Sequence, residues 1–267
     1  MHKILRKIIR IKKQELESTQ DSNSFCHSEL VSESSKEKKM LKRVQHDNYF
    51  MTIFKNTDLA VIAELKFASP FAGVLGSPKK LSQRVIQYEH AGVSAISVIT
   101  EKHFFKGDVA YVQRVKRHTS LPVLQKDFVI DASQIYEAKK LGSDALLLIT
   151  RIVDEKTLVR LVSLCLILGI EPIVEVHTKT DLTKAFKTHA RIIAVNARDL
   201  DTFVIDVQKA CKLLREIPNR YIKLGFSGII SKKEADLYKE AGAQGVLIGT
   251  ALMQTKSVKH FLQEVRV

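Results

Sequence analysis

Cysteine is scarce in this chain, with three in 267 residues: Cys26, Cys165 and Cys211. They stand too far apart for a disulfide framework and lack the paired spacing of a Cys-based zinc site, so both are excluded and a reducing cytoplasm is expected. Long apolar runs are also missing. The longest, residues 161–170, is broken by Ser163 and falls short of the ~20 residues that cross a bilayer, so no membrane partner is expected. The N-terminus spaces Lys3, Arg6, Lys7, Arg10, Lys12 and Lys13 among Ile and Leu, without the apolar core and small-residue cleavage site of a signal peptide. Secretion is therefore not expected. Nor does any dense basic run interleave with aromatics, as a groove for single strands requires. The formal charge of +14 is spread over the chain, and residues 1–50 supply only +4 of it, from 11 Lys/Arg against 7 Asp/Glu. Such a surface suits a small anionic partner, with no nucleic acid expected.

What the chain does contain is a repeated strand. Eight short runs rich in Val, Ile and Leu span residues 59–66, 95–100, 122–128, 144–150, 171–177, 192–198, 221–227 and 245–250. Each is too short for a helix and nearly continuous in apolarity, as strands covered on both faces are. Between them lie apolar residues at helical spacing: Val85, Tyr88 and Ala91; Ile135, Ala138 and Leu141; Leu158, Leu161, Val162 and Cys165. Strand alternating with helix gives parallel pairing through right-handed crossovers, and eight units are the number that closes an α/β (β/α)8 TIM barrel. A doubly wound open sheet is the alternative, and the count of eight argues against it.

Three parts are expected. Residues 1–17 hold an amphipathic helix, with Ile4, Leu5, Ile8, Ile9 and Leu16 toward one side, suited to cap a barrel. Residues 18–50 are rich in Ser, Lys and Glu and too poor in apolar surface to offset the entropy of ordering, so they are expected to be a mobile insertion. Within them, residues 26–48 resemble peptides encoded by mobile palindromic repeat elements, which implies a segment dropped into an existing gene that need not have any role. Residues 51–267 are the catalytic barrel.

The polar residues fall at the carboxyl ends of the runs, where parallel barrels place their ligands. Glu64 and Lys66 are two apart and share a face if Leu65 packs outward; Glu175 with His177 and Asn196 with Arg198 repeat that spacing, and Lys126, Asp127 and Phe128 end the third run. Burying so many charges costs several kcal/mol per ion unless they are paired or used, so a structural ion network is the competing explanation. The last two runs end in Ser227-Gly228 and Gly249-Thr250, where backbone N–H groups can approach an anion closely. The expected partner is a small phosphorylated substrate.

IAELKFASPFAG, TEKHFFKG, PVLQKDFVID, EPIVEVH, AVNARDL, FSGI and VLIGTALM stand in that order at barrel spacing, and together they resemble the indole-3-glycerol phosphate synthase family from Ala60 to Met253. The resemblance implies decarboxylating, dehydrating closure of the pyrrole ring of 1-(2-carboxyphenylamino)-1-deoxyribulose 5-phosphate in tryptophan synthesis, without metal or organic cofactor, and the sequence shows no isomerase domain, so a monofunctional enzyme, a monomer, is expected. It implies Lys126 as general acid, Lys66 on the substrate carboxylate, Glu64 orienting that lysine, and Glu175 as base for dehydration. Asn196 and Arg198 would fix the substrate, and Phe105, Phe128 and Leu147 would form the slot for its aromatic ring. Phosphate would fall to Ser69, Ser227, Gly228, Gly249 and Thr250.

The chain departs from the family pattern at two positions in these motifs. Phe226 stands where a glutamate is usual, which predicts a slow enzyme if Glu175 carries the dehydration, a nearly inactive one if both carboxylates are required, and a shift of Lys66 toward its neutral form. Phe71 replaces a small residue, and its ring either narrows the mouth or lies outward. Two alternatives stand beside the active synthase: a degenerate barrel that binds a sugar phosphate without turnover, and a basic module that binds nucleic acid through residues 1–50.

Overall fold

Period-2 alternation decides how the strands bury. In a computed structural model describing residues 3–20, 48–55 and 57–266, the eight runs form β1 Ala60–Leu65, β2 Ala95–Ile99, β3 Val123–Lys126, β4 Ala145–Ile149, β5 Glu171–Val176, β6 Ile192–Asn196, β7 Ile222–Phe226 and β8 Gly245–Ile248. All pairs are parallel, and β1 closes the ring by pairing with both β2 and β8. The expected TIM barrel is therefore the observed architecture, and the open sheet is excluded. Alternate residues turn inward, Ala60, Ile62, Leu124, Ile173, Ala194, Leu224 and Phe226 among them, and form the inner core. Their neighbours Val61, Leu65, Val98, Leu146, Val174 and Val195 turn outward into the layer beneath the helices.

The helices begin where the sequence supplies caps. Helix Ala132–Leu141 starts in a capping box between Asp131 and Gln134 and stops at Gly142, whose φ of +83° suits the left-handed C-terminal turn. Helix Glu155–Ile167 is capped by Asp154, and it buries Leu158, Leu161, Val162 and Cys165, the stripe that its spacing predicts.

The N-terminal helix runs Lys3–Gln20, and its Leu5 and Ile8 are buried. Most of the segment expected to be a mobile insertion, residues 21–47, lies outside the described residues. At its far end Tyr49–Phe54 forms a 3₁₀ helix capped by Asn48. This helix puts Phe50 and Ile53 into the inner core with Ala60, Ile62 and Ile192, which plugs the amino end of the barrel. No described helix is long and apolar enough to cross a membrane.

Candidate active site

The carboxyl end of the barrel opens into a cavity of about 590 Å³. The residues to which the family resemblance gives a role all line it: Glu64, Lys66 and Ser69 from β1 and its loop, Phe105, Lys126 and Phe128, Leu147, Glu175, Asn196 and Arg198, and then Ser227, Gly228, Gly249 and Thr250. Ile4, Leu5 and Ile8 of the N-terminal helix close one side.

Leu65 does pack outward, so Glu64 and Lys66 both face the mouth. Glu64 bridges two ammonium groups, with Oε1 3.0 Å from Lys66 Nζ and Oε2 2.8 Å from Lys126 Nζ. Burial alone would raise the Glu64 pKa, but the paired charges of Lys126 and Lys66 prevail and lower it to about 2. Glycine at position 249 makes room for this carboxylate, because a Cβ there would lie 2.3 Å from Glu64 Oε1. Gly249 therefore has a packing reason that the phosphate reading did not anticipate. Burial works against the Lys126 ammonium, yet the carboxylates of Glu64 and Glu175 hold its pKa above the ordinary lysine value.

Glu175 differs from Glu64. Among the described residues, its buried Oε2 has no hydrogen-bond partner. Burial raises its pKa, and the Lys126 charge and the Asn196 amide only partly oppose the shift. Such a group is a stronger base than an exposed glutamate.

His177 does not line the cavity with Glu175, contrary to their two-residue spacing. It stands behind the mouth, where its Nδ1–H donates to the Asn196 carbonyl at 2.8 Å and Nε2 lies 2.9 Å from Asp199 Oδ2. Asp199 in turn accepts from the N–H groups of Asp201 and Thr202. The loop built this way carries Arg198, whose N–H donates to Asn196 Oδ1 and whose Nη1 donates to the Phe203 carbonyl. Sequence reasoning missed this support because its partners lie on separate strands.

The aromatic departures have clear places. Phe226 is fully buried, with its ring centroid 5.6 Å from Lys126 Nζ. The ring thus sits by Lys126, whereas sequence reasoning placed the effect at Lys66. Lys66 keeps Glu64 as its counter-charge. Phe71 lies on the rim, half-exposed, and its ring packs on Phe203 with centroids 4.1 Å apart. Phe105 and Phe128 form a tilted pair on the cavity wall, with ring centroids 6.4 Å apart.

One network reaches the N-terminal helix. Lys12 Nζ lies 2.9 Å from Asp127 Oδ1, while Thr100 Oγ1 donates to Asp127 Oδ2 at 2.6 Å. Asp127 is thereby an anchor for the capping helix. At the opposite side Ser227 and Gly228 have φ of +69° and +81°. The left-handed region costs a residue with a Cβ roughly 1–2 kcal/mol, so Ser227 is held there by its surroundings.

The chain matches the model of the family indole-3-glycerol phosphate synthase over residues 5–265. It belongs to that family. An indole-3-glycerol phosphate synthase from Acetivibrio thermocellus is 37% identical over 82% of this chain and 84% of its own length. That from Caldanaerobacter subterraneus subsp. tengcongensis is 41% identical over 80% of this chain and 85% of its own. That from Endomicrobium trichonymphae is 34% identical over 98% of this chain and 99% of its own. Nothing in these comparisons supports the degenerate barrel. Among solved structures, a 3-hexulose-6-phosphate synthase matches with a TM-score of 0.63 at 14% identity, covering 78% of this chain and 98% of its own, which shows the shared fold.

Proposed function

We propose that this cavity closes the pyrrole ring of 1-(2-carboxyphenylamino)-1-deoxyribulose 5-phosphate, releasing carbon dioxide and water and giving indole-3-glycerol phosphate. The chain is an indole-3-glycerol phosphate synthase, a decarboxylating lyase of tryptophan biosynthesis, and the cytoplasm is the compartment this reading implies. The observation that carries the assignment of roles is the contrast at the strand ends: two lysines share Glu64 at 3.0 and 2.8 Å, while Glu175 is left buried with an open oxygen.

In this reading Lys66 holds the substrate carboxylate, while Phe105, Phe128 and Leu147 hold the aromatic ring that bears it. The ring carbon attacks the ketose carbonyl carbon as Lys126 gives a proton to the carbonyl oxygen. Loss of carbon dioxide returns the bonding pair to the ring. Lys126, reprotonated, then helps the new hydroxyl leave as water, and Glu175 takes the proton from the neighbouring carbon. Two protons are given and one is taken, so each turnover draws one from solvent. Glu64 orients both lysines, and Asn196 and Arg198 fix the substrate beside Glu175. Ser69, Ser227, Gly228, Gly249 and Thr250 hold the phosphate.

Phe226 fits the same scheme. The negative face of its ring favours the Lys126 ammonium by roughly 0.5–2 kcal/mol without offering a competing proton acceptor. Single-turnover formation of indole-3-glycerol phosphate, followed by product fluorescence for the parent and for Phe226→Glu, tests the reading. Product from the parent is expected. A silent parent that the added glutamate rescues would show that Glu175 alone does not sustain dehydration.

A further inference from the structure

Tyr238, on the helix Lys232–Glu240, is among the largest fully buried side chains of the barrel. It belongs to the outer layer, and its ring occupies space that only glycine leaves open, since a Cβ on Gly225 would lie 2.3 Å from Tyr238 Cδ1. From there its hydroxyl reaches the end of β7, lying 3.1 Å from the Phe226 carbonyl oxygen and 2.9 Å from that of Ser227. The Phe226 oxygen also accepts from the Ala197 N–H at 2.9 Å. For the Ser227 oxygen, the tyrosine is the donor.

The peptide bonds here are trans, so each N–H points opposite to the carbonyl of the preceding residue. Turning the Ser227 carbonyl outward to Tyr238 turns the Gly228 N–H toward the cavity that Gly228 lines. Among the described residues no backbone acceptor meets that N–H. The same two residues have successive positive φ values, +69° and +81°, so the chain turns sharply at this point of the cavity wall.

We propose that Tyr238 is a positioning residue for the phosphate cradle: its hydroxyl holds the Phe226 and Ser227 carbonyls outward, and this aims the Ser227–Gly228 amides at the ligand. The inference rests on the phosphate reading of that cradle. It assigns the tyrosine an effect on phosphate affinity although it never touches the ligand.

The test uses the full chain and Tyr238→Phe, which keeps the ring against Gly225 and removes only the hydroxyl, with Tyr238→Met as a second variant lacking the donor. Inorganic phosphate is the probe, measured by calorimetry and as a competitive inhibitor of turnover. Loss of one hydrogen bond to the cradle predicts that phosphate Kd and substrate KM both rise about 5- to 10-fold while kcat moves less than twofold. A lowered Tm with phosphate Kd and KM within twofold of the parent would overturn the proposal and leave Tyr238 a packing residue. Thr250→Val separates the two levels of inference. If it weakens phosphate binding and neither Tyr238 variant does, the tyrosine proposal fails alone. If none of the three changes phosphate affinity, the phosphate reading fails with it.

Discussion

β5 carries a glutamate at each end, and the two have opposite surroundings. At the amino end Glu171 is fully buried and meets Arg191, whose Nε and Nη2 both donate to it. At the carboxyl end Glu175 is also buried but leaves Oε2 without a partner among the described residues. Burial raises both pKa values, and only at Glu171 does an arginine answer the charge directly. The barrel satisfies its buried carboxylate at the end plugged by Phe50 and leaves one open at the end that faces the cavity. A buried polar atom with no partner is a cost that packing alone would remove, so its place beside Lys126 identifies the working end more sharply than charge count does.

The largest break in this comparison removes the proton donor. Lys126→Met leaves Glu64 with Lys66 alone and is expected to lower kcat by about 10²- to 10⁴-fold, measured by single-turnover product formation. Next come the two glutamates as a matched pair. Glu175→Gln is expected to lower kcat by about 10²-fold while raising stability by about 1 kcal/mol, because an uncharged amide is less costly at a buried, unpaired position. Glu171→Gln should do the reverse, costing about 2 kcal/mol through the lost charge-assisted bonds to Arg191 while leaving kcat within twofold. Urea unfolding and turnover measured on both variants check the pair. Equal effects on activity would erase the distinction between the two ends.

Acid sharpens the contrast between Glu64 and Glu175. Glu64 is shifted from 4.5 down to about 2 in the folded chain, so its contribution is complete above pH 4.5 and is lost as pH falls toward 2. That loss is of the order of 3 kcal/mol by linkage, and Glu64→Gln should flatten the acid limb of stability against pH. Glu175 has the opposite sign. Its raised pKa means that the folded state binds the proton more tightly, so ionising it with rising pH lowers stability, and Glu175→Gln removes that loss. For catalysis, the same shift places the acid limb of kcat/KM above the ~4.3 of a free glutamate.

The strands were legible because each is a continuous apolar run with outward and inward neighbours in strict alternation, and all eight appear where that pattern puts them. The polar ends were legible for the same reason, since a two-residue spacing sends Glu64 and Lys66 to one face. The rest depended on distance in sequence. Lys12 meets Asp127 across 115 residues, and Tyr238 reaches Ser227 from a helix whose own pattern explains its burial. His177 shows where the period-2 argument stops: just past the end of β5 at Val176, its ring is taken up by the Asn196 carbonyl and Asp199 and does not reach the cavity that Glu175 lines. Glu64 shared between two lysines is a closure effect, visible only once β1 and β3 curve around one mouth.

The smallest expected effect lies at the rim, where Phe71 and Phe203 join the loop after β1 to the loop after β6. Phe203 is held at a φ of +61° and its carbonyl accepts from Arg198 Nη1, so the tilted ring pair connects the loop of Ser69 to the support of Arg198. An aromatic pair contributes about 0.5–1.5 kcal/mol beyond its area, and half of the Phe71 surface is already in water, which puts this pair at the lower end. Phe71→Ser should therefore raise KM about twofold, leave the Lys126 and Glu175 chemistry within twofold in kcat, and lower Tm by no more than a degree or two. A tenfold change in kcat would move the rim into the chemistry and blur the boundary between the open carboxylate and the scaffold that surrounds it.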